Sequence, residues 1–193
     1  MLKIIDARFL QSARESGQYP KTGLPEFAFY GKSNVGKSSL INALVNRKSL
    51  VKTGARPGVT TEINWFVVND RFCLVDLPGT GFAKLPGSQR AALGPIIAEY
   101  CTGRQPLKAV FYLLDLRREP GDEERAQIEW FQSLERPLAL VGTKADKLSK
   151  NQLTATLHRW AEFFGVEKDS LFATSSENHQ GREALLSVIQ GLL

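Results

Sequence analysis

Eight consecutive residues of this chain have the composition and spacing of a phosphate-binding loop. They run from Gly31 to Ser38, follow the apolar residues 27–30 and precede a helical pattern of apolar residues. This order of strand, loop and helix is the context in which G-x-x-x-x-G-K-[ST] binds phosphate. Glycine lets the backbone approach a ligand closely because it has no Cβ. The N–H groups at the start of the helix would then face the anion.

The side chains of the loop predict how a nucleotide would be held. Lys37 would neutralise the β- and γ-phosphates, and the Ser38 hydroxyl would be a ligand of Mg²⁺. The alternative, a glycine turn before an ordinary helix, is less consistent with the flanking strand and helix. The predicted contacts to the phosphates come from nine successive residues, Gly31, Lys32, Ser33, Asn34, Val35, Gly36, Lys37, Ser38 and Ser39.

Two later motifs bear on the kind of nucleotide. Asp76 ends a predicted strand in the pattern D-x-x-G. There its carboxylate would hold Mg²⁺ through a water molecule, and the N–H of Gly79 would meet the γ-phosphate. The motif formed by Thr143, Lys144 and Asp146 follows another strand. It would lie at the carboxyl ends of the strands, where ligands bind in such sheets.

The second motif predicts recognition of guanine. An ionised Asp146 only accepts hydrogen bonds, so it would accept from N1–H and the 2-amino group of guanine, whereas adenine presents an acceptor at N1. A pocket of this kind can reject the wrong base by roughly 10⁴-fold. Lys144 would lie along the base and brace the phosphate loop. Ser175 and Ser176 follow the last predicted strand, where they would support the O6 side of the base.

The elements that must position these motifs alternate between strand and helix. The pattern predicts an α/β fold with a six-stranded, mostly parallel sheet and helices on both faces. One strand, residues 63–68, would be antiparallel, with a turn at 69–70. Residues 1–25 are predicted to form an N-terminal arm, with room for one short edge strand, and residues 26–193 the nucleotide-binding domain. Residues 94–95, Gly-Pro, would either kink the following helix or begin it.

The composition indicates an ordinary globular protein with a modest positive charge. The chain has 193 residues, a net charge of +5 and 23% charged residues, which suits one domain. No apolar run approaches the roughly 20 residues that span a bilayer, and no signal-peptide core is present, so we expect a cytoplasmic protein with no membrane partner. Cations between residues 47 and 56 favour RNA as a partner, or form a solvated surface.

These motifs resemble those of the EngB (YihA/YsxC) family of bacterial GTPases, which are translation-factor-type P-loop GTPases. The resemblance extends from about residue 7 to the end, and three further segments carry it: 56–60 (RPGVT), 76–84 (DLPGTGFAK) and 115–117 (DLR). It implies a single Ras-like domain that binds GTP and GDP with Mg²⁺. It also implies a molecular switch in assembly of the large ribosomal subunit, which contacts its RNA or proteins and has linked roles in cell division and septation.

The resemblance also implies roles in hydrolysis. Thr60 corresponds to the switch I threonine that completes Mg²⁺ and γ-phosphate coordination, with Gly58 in the same nucleotide-binding loop. Thr80 stands where Ras-like proteins have a glutamine that orients water, and threonine is too short for that role. We therefore expect slow hydrolysis, driven by positioning and by the charge of Lys37 and Mg²⁺, with Thr60 the second candidate catalytic residue. From Asn34 we hypothesise that K⁺ binds at the loop and replaces an arginine finger.

Two alternative functions stay open at this point. One is a P-loop kinase that phosphorylates a small metabolite, although the sequence shows no clear lid or acceptor pocket. The other is a non-catalytic scaffold in which GTP is structural, which the threonine at position 80 makes harder to dismiss. We expect a monomer in either case, because the fold needs no partner to bury its core.

Overall fold

The computed structural model describes residues 2–51, 62–79 and 87–193, the last range with its side chains from residue 93 onward. Within these ranges the chain forms seven strands and five α-helices. The strands are β1 (Ala7–Ala13), β2 (Glu26–Gly31), β3 (Ile63–Val68), β4 (Phe72–Asp76), β5 (Leu107–Asp115), β6 (Leu138–Thr143) and β7 (Leu171–Ala173). The helices are α1 (Lys37–Leu44), α2 (Gly87–Gly103), α3 (Asp122–Gln132), α4 (Lys150–Phe164) and α5 (Arg182–Gly191).

The seven strands form one sheet in the order β1-β3-β4-β2-β5-β6-β7. β3 pairs antiparallel with both of its neighbours, whereas the other pairings are parallel. β3 is therefore the one described strand that runs against the rest, which confirms the prediction for residues 63–68.

The predicted count of six strands was wrong, because β1 adds a seventh at the edge of the sheet. Its pairing with β3 shifts register between Phe9 and Gln11. Such a bulge places an extra residue in one strand and breaks the alternation of inward and outward side chains. The N-terminal sequence therefore lacks the regular period that fixes the bounds of a strand, although the short edge strand for which the arm was predicted to have room is present as β1.

The turn between β3 and β4 is the predicted one. Asn69 and Asp70 have φ values of 51° and 53°, and the N–H of Arg71 donates to the carbonyl of Val68 at 3.0 Å. Two central residues with positive φ match the twist of a hairpin. The Asn69 side chain also accepts from the N–H of Ile5 at 2.7 Å and donates to a nearby backbone carbonyl. The turn thus fastens the N-terminal segment to the sheet.

Helices cover both faces of the sheet, as predicted. Successive β2 residues point to opposite faces, and all six are buried, as expected for a central parallel strand. One core contains side chains of α1 and α5, and the other contains side chains of α2, α3 and α4. The largest fully buried helix side chains in the second core are Tyr100, Phe131 and Trp160.

α2 passes through residue 95 rather than beginning there. It starts at Gly87, and Pro95 lies inside it, so the alternative of a helix start at Gly94-Pro95 was wrong. Hydrophobic side chains that face the sheet hold the part after the proline, where Ile97 and Cys101 are buried. Among the helices in the described ranges, none has the length and apolar content to cross a membrane.

A buried ionic cluster joins β2 to the end of α2. The Glu26 carboxylate, 0% exposed, accepts from the Tyr100 hydroxyl at 2.7 Å and from the Arg104 guanidinium at 2.5 to 3.1 Å. Arg104 also donates to the carbonyl of Pro20 at 2.7 Å. Two segments far apart in sequence, residues 20–26 and 100–104, thus meet at the amino end of the strand that leads into the phosphate loop.

Candidate nucleotide site

The phosphate loop lies between the end of β2 and the start of α1. Gly36 precedes the helix with a φ of 109°, a conformation that is strained for residues with a Cβ. Its carbonyl accepts from the N–H of Leu40 at 2.8 Å and so begins the helix. The first N–H groups of any helix lack intrahelical partners. Those of α1 therefore provide a set of donors beside Ser38 and Ser39, which are half-buried and exposed respectively.

The D-x-x-G segment packs directly against this loop. β4 lies beside β2 in parallel, with Asp76 opposite Phe29, so both strands end at the same edge of the sheet. A Cβ at Gly79 would lie 2.8 Å from the carbonyl oxygen of Gly31 and 3.3 Å from the nitrogen of Ser33. The close approach of the two backbones therefore requires glycine at position 79.

A buried ion pair connects the two segments. The Lys37 ammonium donates a hydrogen bond to the Asp76 carboxylate, and the two side chains are only 11% and 4% exposed. Separating such a pair without new partners would be costly. A phosphate oxygen for Lys37 and a cation or its water for Asp76 would supply those partners. The arrangement is thus suited to a metal-bound phosphate ligand.

The T-K-x-D segment is attached to the phosphate loop from the other side. Lys144 has a φ of 63°, and its Nζ donates to the carbonyl of Asn34 at 2.9 Å and to Asp115 Oδ2 at 2.8 Å. The Thr143 hydroxyl donates to the carbonyl of Val35 at 2.6 Å. The expected contact of Lys144 with the phosphate loop is therefore present, and Thr143 adds a second one.

Asp146 is held in position by two neighbours. The Ser175 hydroxyl donates to its Oδ1 at 2.6 Å, and Lys147 Nζ lies 2.9 Å from its Oδ2. These hydrogen bonds lower the pKa of Asp146 below its ordinary value, so the side chain is an ionised acceptor at neutral pH. Ser175 is buried, whereas Ser176 beside it is half-buried. The structure thus shows Ser175 orienting a carboxylate, a contact that the sequence did not predict.

Lys32 differs from its neighbours in the loop. Its Nζ lies 2.5 Å from Glu124 and 3.1 Å from Glu123, both at the start of α3. The side chain therefore ties the loop to α3, and its ammonium is already paired there.

Asp115 was not assigned any role from the sequence alone. It ends β5, and in the register of the sheet it lies opposite Thr143. Although burial acts to raise it, hydrogen bonds from Arg117 and Lys144 hold the pKa of Asp115 well below its usual range. The available signal was its position, an acidic residue at the carboxyl end of an apolar strand where ligands bind in such sheets.

The structure brings most of the predicted site residues to one edge of the sheet. The phosphate loop, residues 76–79, residues 143–146 and residues 175–176 all follow the carboxyl ends of parallel strands. Gly58, Thr60 and Thr80 lie outside the described residues.

The oxygen donors present fit Mg²⁺. Ser38 supplies a hydroxyl and Asp76 a carboxylate, which are the hard ligands that this ion prefers. In the part of the chain that the structure describes, no group of three or more His, Cys, Asp or Glu side chains could hold a metal ion by itself. Mg²⁺ commonly takes one or two protein ligands and completes its shell with phosphate and water. The site therefore suits an ion that enters with the nucleotide.

Comparisons with known proteins agree with this geometry. A family model described as a 50S ribosome-binding GTPase matches residues 26–144. A probable GTP-binding protein EngB of Treponema denticola is 44% identical over 97% of this chain and 98% of its own length. Another, of Geobacter sulfurreducens, is 41% identical over 100% of this chain and 94% of its own.

Solved structures show the same fold at lower identity. A crystal structure of a probable GTP-binding protein EngB has a TM-score of 0.70 at 23% identity and covers 86% of this chain and 97% of that one. Era in complex with MgGDPNP and a segment of 16S ribosomal RNA has a TM-score of 0.67 at 18% identity, covering 88% and 57%. From the family model and the full-length relatives, the chain belongs to the EngB family of GTP-binding proteins and is a P-loop GTPase.

Proposed function

We propose that this GTPase binds GTP and GDP with Mg²⁺ at the site described and acts as a switch in assembly of the large ribosomal subunit. The observation that carries the proposal is the link from Asn34 through Lys144 to the base-reading segment. This contact supports a single site that combines the phosphate-binding loop with the Asp146 carboxylate, which would read guanine. The ribosomal part is supported by the matching family model, which describes a 50S ribosome-binding GTPase, and by the net charge of +5.

Phosphate binding would redistribute the buried ion pair. Lys37 would turn from Asp76 to the β- and γ-phosphates, and Asp76 and Ser38 would hold Mg²⁺, the former through a water molecule. When bound, Mg²⁺ would neutralise charge that develops on the phosphate oxygens. Backbone N–H groups of residues 31–39 and of Gly79 would surround the phosphates. Thr60 and Gly58, which precede β3 in the sequence, would complete the set.

The base would be read by the segment after β6. Asp146, held by Ser175 and ionised, would accept from N1–H and the 2-amino group of guanine. Lys144 would lie along the ring while its ammonium stays on the phosphate loop. Thr143 would hold the segment against that loop, and Ser176 would support the O6 side.

The nucleotide would control the loops that carry Thr60 and Gly79. In P-loop switches the γ-phosphate and Mg²⁺ order two segments, and hydrolysis releases them. Hydrolysis would be slow without a partner, since Thr80 is too short to orient water as a glutamine does. We further propose a monomeric, cytoplasmic protein with an N-terminal arm (1–25) and a GTPase domain (26–193), and with linked roles in cell division and septation.

Co-sedimentation with purified ribosomal particles tests the ribosomal part. Small subunits, large subunits and large-subunit precursors are compared with a GTP analogue, GDP or no nucleotide, over a series of salt concentrations. We expect binding to large-subunit particles with the GTP analogue only, and steep weakening with salt where phosphate contacts contribute. A Lys37→Ala variant, in which binding of the GTP analogue should be weakened, is the control. A protein that binds GTP but no ribosomal particle in any state would refute the assembly role and leave the GTPase assignment intact.

Hydrolysis rates test the proposed role of K⁺. Asn34 has a φ of 62° and is exposed at the rim of the phosphate loop, and its side-chain oxygen is the proposed ligand. Multiple-turnover GTP hydrolysis is measured in KCl and in NaCl at equal ionic strength, with and without large-subunit particles. Faster turnover in KCl that Asn34→Ala abolishes supports the proposal. Equal rates in both salts refute it.

A further inference from the structure

Asp115 lies between the two halves of the nucleotide site. It ends β5, whose neighbours in the sheet are β2, which leads into the phosphate loop, and β6, which leads into the base-reading segment. Its side chain is only 7% exposed. It accepts from Lys144 Nζ at 2.8 Å, from the Arg117 side chain at 2.8 and 3.0 Å and from the Arg117 N–H at 3.1 Å. Each carboxylate oxygen therefore has a fixed partner.

Lys144, which donates to Asp115 Oδ2, joins the two halves of the site. Lys144 Nζ donates to Asp115 and to the carbonyl of Asn34 at the same time. A lysine side chain is long and flexible, so its ammonium stays on one carbonyl only if another group restrains it. A carboxylate that accepts a charge-assisted hydrogen bond is such a group. The Lys144 ammonium is thus held between a strand end and the phosphate loop.

Arg117 fixes the orientation of the Asp115 carboxylate. Its Nε lies 3.0 Å from Oδ1 and its Nη2 2.8 Å from Oδ2, the paired geometry that arginine makes with a carboxylate. Because the backbone N–H of Arg117 also donates to Oδ1, the carboxylate plane is fixed by the chain that follows it. In this orientation Oδ2 accepts from Lys144 Nζ as well as from Arg117 Nη2.

We propose that Asp115 is a positioning residue of the nucleotide site, which sets the spacing between the phosphate loop and the base-reading segment through Lys144. The inference rests on the proposed nucleotide contacts. A ligand that spans both halves, such as GDP, depends on that spacing. Pyrophosphate touches only the phosphate loop and guanosine only the base-reading segment, so neither depends on it.

The test is Asp115→Asn, which keeps the shape of the side chain and removes its charge. GDP binding is measured by calorimetry and by the dissociation rate of a labelled GDP. We expect GDP to bind about tenfold or more weakly, mainly through faster dissociation. Pyrophosphate and guanosine, measured by competition, should change by less than about twofold. Arg118→Ala is the matched control, since Arg118 is 76% exposed and lies 4.0 Å from the same carboxylate, and it should leave GDP affinity unchanged.

A double-mutant cycle with Lys144→Met tests the route of the effect. If Asp115 acts through Lys144, Asp115→Asn has little further effect once Lys144→Met is present. Additive losses would overturn the inference. If Asp115→Asn does not fold, Asp115→Glu keeps the charge and displaces the carboxylate by one methylene, and the same loss confined to GDP is expected.

Two further results would overturn the inference. One is unchanged GDP affinity in a folded Asp115 variant. The other is an equal loss for GDP, pyrophosphate and guanosine, which indicates general structural damage. Both leave the proposed nucleotide site in place, because the unmodified protein still binds GDP. Failure of the unmodified protein to bind GDP would instead refute the proposed site itself.

Discussion

Replacing Glu26 with glutamine should destabilise the whole domain, although the site lies at the other end of β2. The carboxylate is completely buried and is bonded to both Tyr100 and Arg104. Glutamine has nearly the same volume, so no cavity forms and the charge is the main change. What remains is an arginine whose side chain is only 13% exposed and which has lost its counter-charge.

The expected loss in the free energy of unfolding depends on the contacts that Arg104 retains. Removing one partner of a buried ion pair typically costs about 3 to 5 kcal/mol. Arg104 still donates to the carbonyl of Pro20 and retains some contact with solvent, so we expect the lower end, about 3 kcal/mol. That is a large part of the roughly 5 to 15 kcal/mol by which domains are stable.

Urea unfolding followed by circular dichroism measures the loss. With a slope of about 2 to 3 kcal/mol/M, the midpoint of Glu26→Gln should fall by about 1 to 1.5 M. Tyr100→Phe removes one hydrogen bond from the same carboxylate and should cost about 1 kcal/mol. Glu119→Gln is the exposed control, because its ion pair with Arg159 joins side chains that are 69% and 52% exposed. Its midpoint should stay unchanged.

Two results would refute this reasoning. A midpoint of Glu26→Gln within error of the unmodified protein would mean that the charge of the pair contributes nothing net. A loss in Tyr100→Phe as large as that in Glu26→Gln would mean that the hydroxyl, and not the ion pair, carries the stabilisation.

The remaining predictions concern the nucleotide site and its charges. Lys37→Ala should weaken GTP binding by about 10- to 150-fold, because a charge-assisted contact to phosphate is lost, and unchanged affinity by calorimetry would contradict the phosphate-loop assignment. Asp146→Asn should shift preference from GTP to xanthosine triphosphate, because an amide can donate to the added oxygen, and a variant that still selects GTP in competition would show that Asp146 does not read the base. The low pKa of Asp115 predicts a stabilising contribution that is complete above its unfolded value of about 3.9 and lost as the pH falls toward the folded value. The difference in urea midpoint between the unmodified protein and Asp115→Asn should thus be constant from about pH 7 to 5 and shrink below about pH 4, and a difference that grows on acidification would contradict it.

Local motifs were the part of the site that could be predicted. The spacing of Gly31, Gly36 and Lys37 predicts a phosphate loop from residues that are close together in the sequence. The hairpin turn at Asn69-Asp70 is likewise specified by two residues that tolerate positive φ. Strand and helix alternation likewise follows from periods of two and 3.6 residues. The bounds of β1 were not predicted, because a bulge disturbs its period. Asp115 was assigned no role, although it lies in one of the segments that carry the resemblance, because its bond to Lys144 depends on the pairing of β5 with β6.

The sequence by itself determined that a phosphate loop and the T-K-x-D segment occur in one α/β domain, because each motif consists of residues that are close together along the chain. Only the tertiary structure decided which charges meet. Asp115 reaches Lys144 across 29 positions because β5 and β6 pair in register, with Asp115 opposite Thr143. Glu26 reaches Arg104 across 78 positions because β2 and the end of α2 pack together. Such contacts depend on strand order and register, which arise from the packing of the whole sheet and not from any local run of residues.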